Sequence, residues 1–186
     1  MRKPQGYDEA PAITGEGQAL PPGLYVCQIK MAIEENKNGK AVLAIAYDIA
    51  EGEYKGFYQQ RYDADKSPDK KWPGIHRQYT EGKSTGFFKG LITSIEESNP
   101  GYQWNWDEST LKGKRFGAIM GREQFLTQDG QKRFATKIFW IRSIEGLKNA
   151  TIPEDRLLSD ASAGHAEQPM PPTGPTPTDA DFPANW

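Results

Sequence analysis

Residues 112–142 constrain the fold of this chain more than any other stretch, because they have the pattern of two β-strands joined by a turn. In the first run, apolar side chains alternate at Phe116, Ala118 and Met120, as in a strand with one buried face. The second run alternates similarly and places four side chains on one face: Phe134, Thr136, Ile138 and Trp140. Asp129-Gly130 between the runs indicates a two-residue turn, because glycine tolerates the positive φ that such turns need. The pattern predicts a β-hairpin.

The same segment is strongly basic. It carries eight Lys/Arg and two acidic residues, whereas the whole chain of 186 residues has a net charge of −2. A basic, aromatic-rich hairpin suits a surface for single-stranded nucleic acid, where cations meet the phosphates and rings stack on the bases. The alternative is an ordinary piece of β core with one charged, solvated face. Both interpretations fit the pattern.

Three more strands are predicted before the hairpin, at residues 24–33, 41–49 and 54–62. The second is the clearest, because Leu43, Ile45, Tyr47 and Ile49 share one face. The turns between the strands are rich in Asn, Gly and Glu, as short turns of an antiparallel meander require. Residues 63–82 are polar and without periodicity, which predicts a long loop.

One helix is predicted over residues 84–98, where Phe88, Leu91, Ile92 and Ile95 recur at helical spacing and Ser84 or Thr85 serves as the cap. Three strands, one helix and two strands is the element order of the oligonucleotide-binding (OB) barrel. The predicted fold class is therefore mainly β: a five-stranded OB-like barrel with one α-helix between strands 3 and 4. A half-open five-stranded sheet packed on one helix has the same order.

The candidate nucleic-acid-binding residues are basic or aromatic and lie on strand 3, in the polar loop and on the hairpin. They are Lys55, Phe57, Arg61, Lys66, Lys70, Lys71, Trp72, Arg77, Tyr79, Lys112, Lys114, Arg115, Arg122, Lys132, Arg133 and Lys137.

The aromatic candidates each have a structural alternative. Phe57 and Tyr58 point to opposite faces of the predicted strand, so only one can meet a ligand, and we assign Tyr58 to the core. Trp72 is expected to be exposed and to stack on a base. Its alternative role is to cover the hydrophobic core. Trp104 and Trp106 stand beside acidic residues and are predicted to be packing residues.

Catalysis is not expected. The chain has two histidines and one cysteine, too few for a His- or Cys-based metal site or a nucleophile–base pair. Asp63 and Asp65 have the spacing of a weak magnesium site, a pattern that polar loops often produce by chance. Residues 82–85 contain Gly-Lys-Ser but lack the upstream glycine of a phosphate-binding loop. We predict no enzyme activity, no cofactor and no metal.

The chain is predicted to have three parts: a flexible arm at 1–20, a domain at 21–147 and a disordered tail at 148–186. The tail is Pro-rich and has a net charge of −4, from two basic and six acidic residues. Its end mixes acidic and aromatic residues suited to docking on a partner: Asp179, Asp181, Phe182, Pro183 and Trp186. No signal peptide or membrane span is predicted, so we expect a cytoplasmic protein.

The chain resembles a phage-encoded family of single-stranded DNA-binding proteins with OB-type folds. The resemblance rests on Pro22-Gly23-Leu24-Tyr25-Val26, on residues 51–62 and on Leu111-Lys112-Gly113-Lys114. The tail is similar in design to that of bacterial single-stranded DNA-binding proteins, although Ala184-Asn185-Trp186 follow Phe182-Pro183 here. The resemblance implies non-specific DNA binding by the barrel and recruitment of replication or recombination proteins by the tail. A protein-interaction adaptor and, less favoured, a magnesium-dependent nuclease are the alternatives. The single-stranded DNA-binding interpretation allows a homo-oligomer.

Overall fold

The computed structural model describes residues 19–158, and within them the fold is mainly β. Five strands form one antiparallel sheet in the order β3-β2-β1-β4-β5. The main elements follow the chain as β1 Gly23–Lys37, β2 Lys40–Ile49, α1 Phe57–Ala64, β3 Ile75–Tyr79, α2 Thr85–Ser98, β4 Arg115–Leu126 and β5 Lys132–Arg142. Short 3-10 turns occupy Gly82–Ser84, Glu108–Leu111 and Glu145–Asn149.

Two long hairpins build most of the sheet. β1 and β2 join through Asn38 and Gly39, both with positive φ (55° and 75°), as a tight two-residue turn requires. The predicted β4–β5 hairpin is confirmed, but its turn is one residue longer than expected. The Thr127 N–H donates to the Gln131 carbonyl at 2.9 Å, which leaves three residues between them. Gly130 supplies the positive φ of 78° that closes such a turn.

The core lies between the sheet and α2. The predicted inward face of β2 is confirmed, because Leu43, Ile45, Tyr47 and Ile49 are all at most 3% exposed. The predicted helix is confirmed as α2, whose buried side chains are Phe88, Leu91, Ile92, Ser94 and Ile95. Neither predicted cap forms: the Ser84 side chain at the N-cap position of α2 makes no capping hydrogen bond. The Thr85 hydroxyl instead donates to the Thr80 carbonyl at 3.2 Å.

The predicted third strand at 54–62 is wrong, because most of that segment forms α1. The helix begins after Gly56, whose φ is 74°, and Asp48 of β2 bonds its first N–H groups. The Asp48 carboxylate accepts hydrogen bonds from the Tyr58 N–H at 2.9 Å and the Gln59 N–H at 3.3 Å. A carboxylate at a helix start stabilises it through the unpaired donors there. The chain therefore has a second α-helix that the sequence pattern did not predict.

The third strand lies instead in the segment predicted as a polar loop. β3 pairs with β2, and its entry is fixed by Gly74, where a Cβ would stand 2.5 Å from the Tyr47 carbonyl oxygen. The Tyr47 N–H donates to the Gly74 carbonyl at 2.8 Å. The Trp72 indole donates to the Tyr47 carbonyl at 3.0 Å. These contacts anchor residues 72–74 against the end of β2.

The sheet is open, because no backbone pairing joins β3 to β5 among residues 19–158. The predicted arm is described only at residues 19–20 and the predicted tail only to residue 158; the rest of both, including the tail residues 179–186, lies outside the described residues. Within the same range, none of the helices combines the length and the apolar character needed to cross a bilayer.

Candidate functional site

A groove of about 950 Å³ runs between the two edge strands of the sheet. β3 and β5 line its two sides, and the N-terminal half of α2 contributes Phe87 and Leu91. Ala19 and Leu20, the first described residues, also line it. The groove therefore occupies the gap that the open sheet leaves between β3 and β5.

The lining of the groove is strongly basic. Among the described residues that form it, one is acidic, Glu123, and the basic ones are Lys37, Arg61, Arg77, Arg133, Lys137, Arg142 and Arg156. Seven cations against one carboxylate in a concave surface create a positive potential that attracts a polyanion. The net charge of −2 for the whole chain does not describe this surface.

Aromatic rings alternate with these cations. The rings that line the groove are Tyr47, Phe57, Tyr58, Tyr79, Phe87, Phe125, Phe134, Phe139 and Trp140. Phe134 is the most accessible of them at 41% exposed. Trp140 and Phe87 lie with their ring centroids 6.1 Å apart, one on β5 and the other on α2. Exposed rings beside cations are what base stacking requires.

Several groove cations are oriented by their neighbours. Arg77 donates from Nε to the Glu35 carboxylate at 2.9 Å, and both side chains are largely buried (11% and 8% exposed). Lys137 pairs with Glu123 at 2.6 Å in a more exposed setting. The Arg142 guanidinium lies over the Trp140 ring at 5.8 Å. Of these contacts, the buried Arg77–Glu35 pair fixes its cation most firmly, because exposed pairs contribute little.

Three titratable side chains of the groove lining, His76, Tyr47 and Tyr58, have shifted pKa values. Burial lowers the pKa of His76 to about 4, so its imidazole is uncharged at neutral pH. Burial raises the pKa of Tyr58 to about 12, and the pKa of Tyr47 also lies well above its ordinary value. The two phenol oxygens are 3.3 Å apart. The charge of the groove therefore comes from Lys and Arg, with Glu123 in the lining and Glu35 behind Arg77 opposing it.

The structure brings six of the predicted binding residues into the groove: Phe57, Arg61, Arg77, Tyr79, Arg133 and Lys137. Tyr58 is in the core as expected, at 6% exposed. Phe57 is also buried, at 8% exposed, because both side chains lie on the inner side of α1 and not on opposite faces of a strand.

The other ten predicted residues lie outside the groove lining: Lys55, Lys66, Lys70, Lys71, Trp72, Lys112, Lys114, Arg115, Arg122 and Lys132. The expected exposure of Trp72 is wrong, because its ring is 3% exposed. Lys114 lies over the Tyr102 ring at 4.3 Å. Arg115 and Arg122 form ion pairs with Glu51 and Asp155.

The sequence pattern missed several lining residues: Lys37, Phe87, Phe125, Phe134, Phe139, Trp140, Arg142 and Arg156. Phe134 and Trp140 had a signal, since the alternation places both on one face of a basic strand. No sequence signal indicated Arg156, because it follows the predicted end of the domain at residue 147.

Trp106 also departs from the sequence-based prediction. It was expected to pack, but it is 77% exposed and has a positive φ of 68°. Trp104 does pack, with its ring 5.6 Å from that of Phe88. The Trp106 ring contacts the Trp104 ring with their centroids 4.8 Å apart and their planes inclined by 41°.

Across residues 19–158, no three or more metal-ligating side chains come together. Asp65 accepts a hydrogen bond from the Ser67 N–H, and this lowers the pKa of its carboxyl group. No model of a known protein family matches the chain, and no curated protein matches it. The family resemblance therefore remains a prediction from the residues quoted for it.

Proposed function

We propose that this protein binds single-stranded DNA without sequence preference, through the groove between β3 and β5. The observation that carries the proposal is the lining of that groove, where the described residues supply seven cations against one carboxylate. Of its nine rings, five are at least partly exposed: Tyr79, Phe87, Phe125, Phe134 and Trp140. Cations follow the phosphate backbone of a strand, and rings stack on any base, because every base has a π face. Within residues 19–158, the groove offers no comparable array of acidic or metal-binding groups for catalysis.

The proposed architecture is an OB-like barrel that is partly open at β3 and β5. Both edge strands line one groove, and α2 follows β3 as in the predicted element order. In OB folds the oligonucleotide lies on the sheet and against the loops that extend it. Here Lys37 lies beside the β1–β2 turn, and Phe125 and Arg133 flank the β4–β5 turn, so both hairpin ends reach the groove.

We also propose that the protein acts in phage-type replication or recombination, where its acidic and aromatic tail recruits partner proteins. This part rests on the composition of residues 179–186 and on the family resemblance. If the tail also competes for the basic groove, deleting these eight residues leaves the DNA affinity equal or higher. A clear fall in affinity would exclude that competition.

The direct test is a titration of the full chain with a fluorescent oligo-dT of about 30 nucleotides, at low and moderate salt, with a duplex of the same length as the control. We expect tight binding to the single strand alone. The affinity falls with salt because each neutralised phosphate releases counterions. A plot of the logarithm of the binding constant against the logarithm of the salt concentration has a slope of about −0.7 for each neutralised phosphate. Absence of binding at low salt would overturn the proposal and leave the adaptor as the better interpretation.

A further inference from the structure

Residues 154–158, which we call the strap, lie along β4 beyond the point where its pairing with β1 ends. The Arg156 N–H donates to the Arg122 carbonyl at 2.8 Å, and the Gln124 N–H donates to the Arg156 carbonyl at 2.8 Å. Asp155 accepts two hydrogen bonds from the Arg122 guanidinium. The strap therefore rests mainly on one residue of backbone pairing and one ion pair.

The strap places the Arg156 side chain on an aromatic ring of the groove. The guanidinium carbon of Arg156 lies 3.7 Å from the centroid of the Phe139 ring. Phe139 is only 6% exposed, yet it does not belong to the cluster of buried side chains that forms the core. Its burial is therefore local, and Arg156 supplies part of it.

Another neighbour of this ring is a glycine. A Cβ at Gly121 would stand 2.5 to 2.9 Å from three carbons of the Phe139 ring, so only glycine lets the ring lie this close to β4. The ring is thus held against the sheet and covered by a planar cation. A guanidinium and a nucleobase are both planar groups that stack on an aromatic face.

We propose that the Phe139 ring is a base-stacking subsite of the groove, which the strap covers in the free protein. Arg156 occupies the place of a nucleobase, and a bound strand displaces it from the ring. The other six cations of the lining then remain to meet the phosphates. The proposal rests on the proposed function, since the ligand is a base of the single strand. It adds a ring outside the predicted set and couples occupancy of the groove to release of the strap, which leads into the rest of the tail.

The test weakens the strap without substituting a residue of the groove lining. Asp155→Asn removes the ion pair with Arg122, and the exposed neighbour Glu154→Gln is the matched control with the same change in charge. Arg122, whose guanidinium lies 5.2 Å from the centroid of the Phe134 ring, is retained in both variants. Because the free energy needed to open the strap lowers the apparent affinity, we expect Asp155→Asn to bind the oligo-dT about two- to fivefold more tightly than Glu154→Gln. Equal affinities would overturn the proposal.

Two further measurements test whether Phe139 is the subsite and whether the strap is displaced. Phe139→Leu in the Asp155→Asn background should abolish the gain in affinity, whereas a gain that persists would show that Phe139 is not the subsite. In the wild-type chain, hydrogen exchange at the Arg156 and Gln124 amides should become faster when oligo-dT binds; unchanged or slower exchange would overturn displacement of the strap. If the wild-type chain does not bind oligo-dT, the proposed function is wrong. If it binds but the variants do not differ, only the proposal about the strap is wrong, so the two failures are distinguishable.

Discussion

Two regions of this molecule combine Lys or Arg with aromatic rings but differ in shape and in charge balance. The groove between β3 and β5 gathers its cations around one cavity of about 950 Å³. The segment between α2 and β4, taken with Arg115 at the start of β4, carries Lys112 and Lys114 beside Tyr102, Trp104 and Trp106. Its acidic residues Asp107 and Glu108 balance the two lysines. There the smaller cavity, about 430 Å³, has Lys114 as the single charged residue among its described lining.

The difference shows that composition does not by itself make a binding surface. In the segment before β4, Lys114 lies over Tyr102, Trp106 contacts Trp104, and Lys114 is the one cation among the described lining of the smaller cavity. In the groove, cations from several strands converge on one space, and a concave arrangement adds their potentials. The difference can therefore be tested directly by comparing a substitution in the groove with a matched substitution outside it.

The largest expected effect concerns how each region holds an arginine. Arg77 is paired with Glu35 inside the protein, and Arg115 is paired with the 57% exposed Glu51. Glu35→Gln leaves a buried guanidinium without this charge partner, so we expect the free energy of unfolding to fall by about 3 kcal/mol. Glu51→Gln should change it by less than about 1 kcal/mol. Urea denaturation measures both; equal losses would contradict the distinction between the two pairs.

The second prediction separates the groove from the wider set of basic residues. Arg133→Glu with Arg142→Glu reverses two charges of the lining, and we expect the oligo-dT affinity at low salt to fall by about one to two orders of magnitude. The slope of the logarithm of the binding constant against the logarithm of the salt concentration should also become shallower, by about 0.7 for each phosphate that the variant no longer neutralises. Titrations at several salt concentrations measure both quantities.

The matched control for that pair is Lys71→Glu with Lys112→Glu, two exposed lysines outside the lining. It has the same change in net charge, so a general electrostatic effect would weaken both variants equally. We expect a reduction in affinity several times smaller in the control. Equal reductions would mean that the strand does not follow the groove.

The sequence predicts the parts of the fold that depend on local pattern. The β4–β5 hairpin and α2 follow from alternation and helical spacing, and both are present. α1 was missed because Tyr58 and Tyr62 fit a strand and a helix equally well, and the choice depends on Asp48, a distant residue. β3 was missed because Gln78 is the one buried residue of its five and because its entry depends on the distant Tyr47.

The candidate site was predictable only in part for the same reason. Basic residues are visible in the sequence, but which of them converge depends on the topology of the sheet. Arg133 and Lys137 were predicted because they lie on the basic hairpin, whereas Arg156 reaches the groove through the strap alone. Exposure of an aromatic residue was equally non-local: Trp72 is buried where its indole bonds to Tyr47, and Trp106 is exposed.

The smallest expected effect tests exposed aromatic rings, one from each region. Phe134→Ala removes the most accessible ring of the groove, and we expect the oligo-dT affinity to fall about tenfold, within the range of about 1–3 kcal/mol for one stacked base. Trp106→Ala removes a larger and more exposed ring outside the lining, at 77% exposed, and should leave the affinity unchanged. Exposure alone would rank Trp106 first, so a greater effect of Trp106→Ala would move the DNA path to the segment before β4. Neither ring belongs to the core cluster, so we expect both variants to fold. An unchanged far-ultraviolet circular dichroism spectrum of each variant is the control for this.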